Sequence, residues 1–524
     1  MGVKATRSSV MGFIKETTEG ELKELAVGSD FVPLREGFSF EGAIENITSD
    51  ELINGDFGAA KSFITKETPT ASFPKYIKHS GVEGQAPSYG LLIESAMGSA
   101  VVNSTEYAVA AGSDAGSASA TAKLAMTGDQ EDTFAIGQAV LIKDGTNGYS
   151  IRNIKKIDST GGKLELNYNL SNAPALGVKL GKCVAYKGAT SHPTFSAHRF
   201  QAITDSAFKS AMAGCRTTSM SFEFPALEFA TGSFEFAGIE FFMNHIRIGA
   251  ANRYIDFKDD AGSTLVAILE QKVYGSAHEL AEEIAAKMTA ASAPSQGDAI
   301  SCTYSDTAGN FTITSAGDYF GILWNSGTNK ANSVAATIGF SDAADNSGGL
   351  TYVAETAQKY DVGANGADAG TAITPSYDDS DNLVMKGAEL FIGDHLENLC
   401  RKATTASFSI TTPKTDALSL CADNGIDSSV ILSREVTFSA TLLLQQHEVG
   451  LFHKYKNDKN VPIMFNAGPK VANNWSAGKC VNIFFANSSI TSKVVGDSDG
   501  YQVVNIEAKG YVGADSSDVY INFI

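Results

Sequence analysis

Arg434–Phe465 reads REVTFSATLLLQQHEVGLFHKYKNDKNVPIMF. Its first part alternates: Val436, Phe438, Ala440, Leu442 and Leu444 fall on one side of an extended chain, and Glu435, Thr437, Ser439 and Thr441 on the other. A period of two predicts a half-buried strand, because successive strand side chains point to opposite faces. The period then lengthens. Val449, Leu451, Phe452, Tyr455 and Lys456 suit a short amphipathic helix. After a break at Asn457–Asn460 comes a second apolar strand, Val461–Phe465. Strand, short helix, strand is a compact unit in which the helix closes one end of a sandwich of sheets. A similar unit stands earlier: Ala71–Lys78 reads as a strand, and Pro87–Met97 as a short helix carrying Leu91, Leu92 and Met97. These two units are expected to be the hearts of two related domains in a mainly β chain of α+β type.

Composition sets the bounds. At 524 residues the chain is too long for one ordinary core, and about three or four domains are the starting expectation. An apolar fraction of 43% with 19% charged residues describes a folded, soluble protein. Fifty Gly against 12 Pro, with 30 Phe and 2 Trp, suits many short strands joined by tight turns. A net charge of −19 argues against holding nucleic acid by its phosphates, which takes Lys and Arg. Cys183, Cys215, Cys302, Cys400, Cys421 and Cys480 are widely spaced with no C-x-x-C, which predicts buried free thiols made in a reducing cytoplasm and no zinc site. The N-terminus lacks the apolar core of a signal peptide, and no run approaches the ~18 apolar residues of a membrane span.

Along the chain, Ser9–Lys15, Ala59–Thr65 and Ala71–Lys78 are expected strands, with Pro74 marking the last as an edge or a bulged strand. Val109–Thr121 is small and low in complexity, a linker. Phe134–Lys187 holds four or five short strands (Ala139–Ile142, Tyr149–Ile154, Lys163–Leu170, Gly177–Val184), a small β-barrel inserted between connectors. Asp205–Ala213 suits a helical turn capped by Asp205. Met220, Phe222 and Phe224, then Phe234 and Phe236, alternate with Ser and Glu as two strands. A helix is expected from Ser276, where Ser276 and Glu279 form a capping box and Leu280, Ile284 and Met288 a stripe. Strands at Ile300–Tyr304 and Phe311–Thr314 and a helical turn Val334–Ile338 closed by Gly339 complete an α+β unit. Asp361–Asn382 reads as an acidic linker, and strands fill Leu383–Ile524.

Catalytic patterns are weak. His278-Glu279 begins an H-E-x-x-H motif, but Glu282 stands where the second His is required. Gly496-Asp-Ser498-Asp-Gly500 has the letters of a nucleophile elbow, but strands on both sides make it a hairpin turn. Asp423-Asn424-Gly425 lacks the spacing of a calcium loop. No catalytic, cofactor-binding or metal-binding residues are assigned, and no cofactor is expected. A glycan-cleaving enzyme would need paired carboxylates that nothing in the sequence singles out.

The chain resembles the major tail tube proteins of long-tailed (siphovirus-type) bacteriophages. The resemblance is carried by Gly12-Phe-Ile-Lys-Glu16-Thr-Thr-Glu-Gly20, Ile47-Thr-Ser-Asp50-Glu51-Leu52, Tyr89-Gly-Leu-Leu-Ile-Glu94-Ser-Ala-Met-Gly98, Cys215-Arg-Thr-Thr-Ser219-Met-Ser-Phe222, Gly232-Ser-Phe234-Glu235-Phe236 and the Arg434–Leu444 strand. It implies a β-sandwich flanked by a helix, with sheets that join between subunits into a β-barrel lining a channel. Rings would stack by long loops, and phage DNA would pass through on ejection. It further implies a virion protein synthesised in the host cytoplasm, no enzymatic activity and no membrane. The implied partners are copies of itself, as trimers of pseudo-six-fold symmetry, with the tape measure, tail tip and tail terminator proteins. The expected division is a discontinuous first tail-tube domain at 1–107 and 191–243, an inserted β-barrel at 122–190, an inserted α+β module at 244–371 on the tube exterior, and a second tail-tube domain at 372–524. Glu223, Glu235, Glu435 and Glu507 alternate with apolar residues on expected strands and are candidates to face an acidic lumen that repels phosphate. The alternative reading is a phage or bacterial surface adhesin that binds a host glycan through the α+β module.

Overall fold

The computed structural model describes residues 9–23, 31–48, 62–110, 121–127, 129–201, 208–243, 246–294, 298–305, 308–356, 381–393, 403–420, 425–444, 453, 455–457, 460–498, 500–513 and 517–524. The chain is mainly β. It opens with β1 (Val10–Lys15), β2 (Phe31–Pro33) and β3 (Ser39–Glu41), a hairpin of β4 (Ile44–Thr48) and β5 (Ser62–Glu67), then β6 (Thr70–Tyr76), helix α1 (Gly90–Met97) and β7 (Gly98–Asn103). Next come β8 (Tyr107–Ala108), β9 (Lys123–Ala125), β10 (Ala139–Asp144), β11 (Gly148–Asp158), β12 (Lys163–Leu166) and β13 (Lys179–Leu180). The chain returns through β14 (Cys183–Gly188), β15 (Phe195–Gln201), β16 (Phe208–Pro225), β17 (Thr231–Ala237) and β18 (Glu240–Met243). The α+β stretch holds β19 (Ile246–Arg247), β20 (Tyr254–Lys258), β21 (Thr264–Ile268), β22 (Val273–Tyr274), α2 (Ala277–Ser292), β23 (Ile300–Ser305), β24 (Asn310–Ser315), β25 (Gly321–Ile322), α3 (Ala335–Ile338) and β26 (Thr351–Val353). The last part holds β27 (Glu389–Ile392), β28 (Ala403–Thr411), the hairpin β29 (Lys414–Leu418) and β30 (Ile426–Ile431), β31 (Glu435–Leu443), β32 (Ile463–Ala467), the hairpin β33 (Lys470–Val471) and β34 (Asn474–Trp475), β35 (Val481–Phe485), β36 (Ser488–Ser498), β37 (Tyr501–Gly510) and β38 (Tyr520–Phe523).

Two sheets face each other. The larger contains the run β3-β6-β17-β16-β28-β31-β37-β36, with β15, β1, β2 and β18 attached along the first half of β16. The smaller has the order β27-β32-β35-β38-β14-β7. Alternation explains the pairing of faces. On β16, Met220, Phe222 and Phe224 are buried, as are Phe234 and Phe236 on β17, Phe408 and Ile410 on β28, and Val436, Phe438, Ala440 and Leu442 on β31. They meet Ile463, Phe465, Ile483, Phe485, Ile521 and Phe523 from the smaller sheet, with Leu92, Ile93 and Met97 of α1, in one hydrophobic core. That core draws side chains from both ends of the chain. Ser219–Pro225 of β16 lies antiparallel against Thr411–Thr405 of β28, and β14 pairs with β38. Pro74 is tolerated because β3 reaches only Thr70–Ser72 of β6, so its missing N–H falls on the open side.

The two halves run through the same elements in the same order. β3, the β4–β5 hairpin, β6, α1, then the β7 and β14 pair, then β16 and β17, match β28, the β29–β30 hairpin, β31, the β32 and β35 pair, then β36 and β37. Where the first half inserts β8–β13 between β7 and β14, the second has only β33–β34 between β32 and β35. Of the expected second helix, His453, Tyr455 and Lys456 have helical backbone, and most of the remainder lies outside the described residues. The registers agree as well. Ser39, Phe40 and Glu41 face Ser72, Ala71 and Thr70, as Ser409, Ile410 and Thr411 face Thr437, Val436 and Glu435. Ser72 then faces Glu235 and Thr437 faces Lys509. A bulge interrupts both outer hairpins, at Thr217/Ser219 in one and Ile490/Ser492 in the other.

The β8–β13 stretch forms a sheet of order β8-β13-β10-β11-β12-β9. The Ala110 N–H donates to the Ala125 carbonyl at 2.8 Å and so draws the two ends together into a barrel. Inside lie Val109, Leu124, Phe134, Val140, Ile142, Ile154 and Leu164. Most of the expected Val109–Thr121 linker lies outside the described residues, and Val109 itself is a core residue. The barrel docks on the smaller sheet through buried amides. Asn466, Asn482 and Asn522 stand side by side on β32, β35 and β38. Asn153 of β11 exchanges amide hydrogen bonds with Asn482 at 2.8 and 3.0 Å. Asn482 also donates to Asn466 at 2.7 Å and accepts from Asn522 at 2.8 Å. A fully buried amide without partners costs about 1–3 kcal/mol. Asn482→Leu is therefore expected to destabilise by about that amount, and to raise amide exchange in β10 and β11 ahead of the larger sheet. Equal exchange in both places would refute this docking role.

The α+β stretch has its own core around Ile255, Phe257, Leu280, Ile284, Met288, Phe311, Ile313 and Trp324. α2 begins as expected: Ser276 Oγ accepts from the Glu279 N–H at 3.1 Å, and the Glu279 carboxylate reaches back to the Gly275 N–H at 2.9 Å. Ser276→Ala is expected to cost about 1 kcal/mol, read as an earlier unfolding step of this unit in calorimetry. Gly339 closes α3 with φ 84, in the left-handed region. Residues 208–213 do not form the expected helical turn but the start of the strand β16, paired with both β15 and β18. Asp205 lies outside the described residues, as does most of the expected acidic linker 361–382.

Candidate functional site

The outer face of the larger sheet is the opposite side of the alternation that fills the core. It is built of hydroxyl groups with spaced carboxylates. One row across the strands reads Ser72, Glu235, Ser219, Thr411, Glu435. The next reads Pro74, Ser233, Ser221, Ser409, Thr437, Lys509. The third reads Tyr76, Thr231, Glu223, Ser407, Ser439, Glu507, Ser492. Ser407 and Ser439 share a hydrogen bond of 2.7 Å, and Thr441 donates to Asn505 at 2.9 Å. These cross-strand bonds occupy Ser407, Ser439, Thr441 and Asn505 with one another.

Glu223, Glu235, Glu435 and Glu507 all stand on this face and all are exposed. Glu235 and Glu435 share a row three strands apart. So do Glu223 and Glu507. At about 4.8 Å per strand the partners of a row are separated by roughly 14 Å. That is too far for a two-carboxylate hydrolytic pair, which needs about 5–9.5 Å. Glu435 meets Lys509 at 2.6 Å, and both side chains are at least half exposed, so this pair contributes little to stability. Sequence reasoning missed two charged members of the face. Glu41, on β3 opposite Thr70, is exposed. Its signal was the alternation Phe38-Ser39-Phe40-Glu41. Lys509 offsets one of the four carboxylates, and only the pairing of β31 with β37 reveals it.

The thiols are chemically quiet. Cys183, Cys215, Cys302 and Cys480 are buried and free. Burial pushes Cys302 and Cys480 up to about 12, and raises Cys183 and Cys215 as well. A thiol with so little thiolate at neutral pH is not a nucleophile. Cys400 and Cys421 lie outside the described residues.

No curated protein matches the chain. The β1–β18 part, with its barrel and its share of the hydroxyl-lined sheet, is another matter: residues 6–243 match the family model described as phage tail tube protein, so this segment is similar to a family of structural phage proteins.

Proposed function

We propose that the chain assembles with copies of itself into rings that stack to form the tail tube of a long-tailed, siphovirus-type phage, with the outer face of the larger sheet turned to the channel through which DNA passes during ejection. The observation that carries this reading is the doubled strand order within one continuous sheet that, among the described residues, ends in two open edges. A sheet with open edges is completed by pairing with another, and a closed ring of such sheets has no edges left. Two repeats per chain make three chains the equivalent of six, so the ring is a trimer of pseudo-six-fold symmetry. On this reading the tail-tube repeats are 1–107 with 191–243, and 372–524. The barrel 122–190 and the α+β module 244–371 are insertions, the latter displayed on the tube exterior. The tape measure, tail tip and tail terminator proteins are the partners inside and at the ends of the tube. Glu223, Glu235, Glu435 and Glu507 then give the channel its negative charge, so that DNA slides without being held.

Negative-stain microscopy with mass photometry of concentrated protein tests this. Rings or tubes with a central hole and the mass of three chains are expected. A hexameric ring would refute the doubled repeat while keeping the tube. A monomer at every concentration that binds host glycans would overturn the reading in favour of an adhesin.

A further inference from the structure

The run β3-β6-β17-β16-β28-β31-β37-β36 contains a worked example of how one repeat joins the next. Inside the chain that join is β16 on β28, with Ser221 opposite Ser409, Phe222 opposite Phe408 and Glu223 opposite Ser407. The open edge of β36 is the second repeat's counterpart of β16. Glu235 and Lys509 hold equivalent places, facing Ser72 and Thr437. Two residues before them in each strand, Ser233 faces Ser221 and Glu507 faces Ser492. Ser492 therefore corresponds to Ser221, and Val495 to Phe224.

The correspondence exposes a mismatch in burial. Phe224 is 3% exposed, covered by the rings of Phe408 at 5.8 Å and Phe465 at 4.6 Å. Val495 lies opposite the fully buried Val504, on the side of the sheet that faces the core, yet it is 51% exposed. β36 thus carries a core-facing apolar side chain at a place where no described residue completes the core. Among the described residues no strand pairs with its outer edge. The opposite end of the run supplies the matching piece. Ser39-Phe40-Glu41 repeats Ser409-Ile410-Thr411 in register on the next strand, and Phe38 precedes Ser39 as Phe408 precedes Ser409. Among the described residues β3 has β6 as its only strand neighbour.

Building on the tube reading, we propose that β36 of one copy pairs antiparallel with β3 of a second copy of this chain, in the register of the internal join: Ser492 opposite Ser39 and Ile490 opposite Phe40, with Thr491 bulged between them and Phe38 of the second copy set over Val495. Main-chain hydrogen bonds along the seam supply the attraction, and the side-chain match fixes the register. A slip of one residue would turn Val495 and Phe38 to opposite faces, so the buried pair selects against it.

The test mixes two single variants of the full chain, Ser492→Cys and Ser39→Cys, under mild oxidation. Only a contact between copies can link them. A disulfide-linked pair is expected, at least tenfold more abundant than with Ser492→Cys mixed with Glu41→Cys, or with either variant alone. Rings or tubes that form without the Ser492–Ser39 link, or that link better at the shifted pair, would overturn this register and leave the tube reading standing. A chain that neither links nor assembles would overturn both. A second variant, Val495→Asp, is expected to abolish ring formation while leaving the melting temperature of the single chain within about 1 °C, because exposed positions are nearly neutral to folding. Rings formed as readily as by the unaltered chain would refute the role given to Val495.

Discussion

Arg434→Ala is expected to destabilise the chain by about 3–5 kcal/mol, the usual cost of removing one partner from a buried ion pair. Arg434 sits just before β31 and binds Asp518 with a two-pronged fork, Nε to Oδ2 at 2.8 Å and Nη2 to Oδ1 at 2.7 Å. Its third nitrogen, Nη1, donates to the Met97 carbonyl at the end of α1, at 2.9 Å. The side chains are 12% and 7% exposed. Asp518 is held in turn by the Ser517 hydroxyl and the Val519 N–H, both at 2.9 Å. The fork therefore ties the larger sheet to helix α1 and to the strand β38, which lies between β35 and β14 in the smaller sheet. Gly188 is part of the same arrangement, since a Cβ there would run into the guanidinium. Removing the cation leaves a carboxylate buried among groups placed to serve a charge pair, and the Met97 carbonyl loses one donor while keeping the Ala189 N–H at 2.9 Å. The measurement is denaturant unfolding of Arg434→Ala, Asp518→Ala and the double variant. The double variant is expected to lose less than the sum of the two, because the second removal relieves the charge stranded by the first. A loss under 1 kcal/mol for Arg434→Ala, or full additivity, would show that the pair does not tie these elements.

The periodic elements were legible in the sequence. The alternation at 434–444 corresponds to β31, Glu435–Leu443. The capping box at Ser276 corresponds to the start of α2, and the turn at Gly500 to the β36–β37 hairpin. What the sequence did not disclose is non-local. Nothing in the pattern of Ser219–Pro225 says that its other edge will be covered by residues nearly two hundred positions away, because alternation reports which face is buried and not which strand lies alongside. The β29–β30 hairpin was missed because the more buried face of β29 carries Lys414 and Asp416 and not apolar residues, so Lys414–Leu418 has no hydrophobic alternation to read. Residues 208–213 were misread as helical because Phe208, Ala211 and Met212 have helical spacing, whereas β16 is an 18-residue strand that serves two parts of the sheet. The four carboxylates were legible as one-faced residues of strands. Their spacing, and the lysine among them, depend on strand order and register.

That spacing sets the second large effect. The variant Glu223→Lys/Glu235→Lys/Glu507→Lys is expected to fold and assemble as the unaltered chain does, and to slow DNA ejection from phage particles at least tenfold. Each position is exposed on the sheet face and none makes a salt bridge among the described residues, so the cost to folding is within about 0.5 kcal/mol per site. Glu435 is left in place because its neighbour Lys509 already neutralises it. A lysine about 8 Å from a passing phosphate gains only about 0.5 kcal/mol in water, and salt screens it further. The number of contacts turns this into a large effect. Carboxylates roughly 14 Å apart lie beyond one Debye length of each other at physiological salt, so each acts nearly independently on the duplex. Reversing three per chain replaces three weak repulsions by three weak attractions, repeated in every copy along a tube. Attractions to phosphate release counterions and so fall steeply with salt. Ejection by the altered particles is therefore expected to recover as salt is raised, and the corresponding Gln variant is expected to lie between the two. Particles that carry all three lysines and eject at an unchanged rate across salt concentrations would place this face away from the DNA, and the hydroxyl-lined side of the sheet would then have to be sought on the outside of the tube.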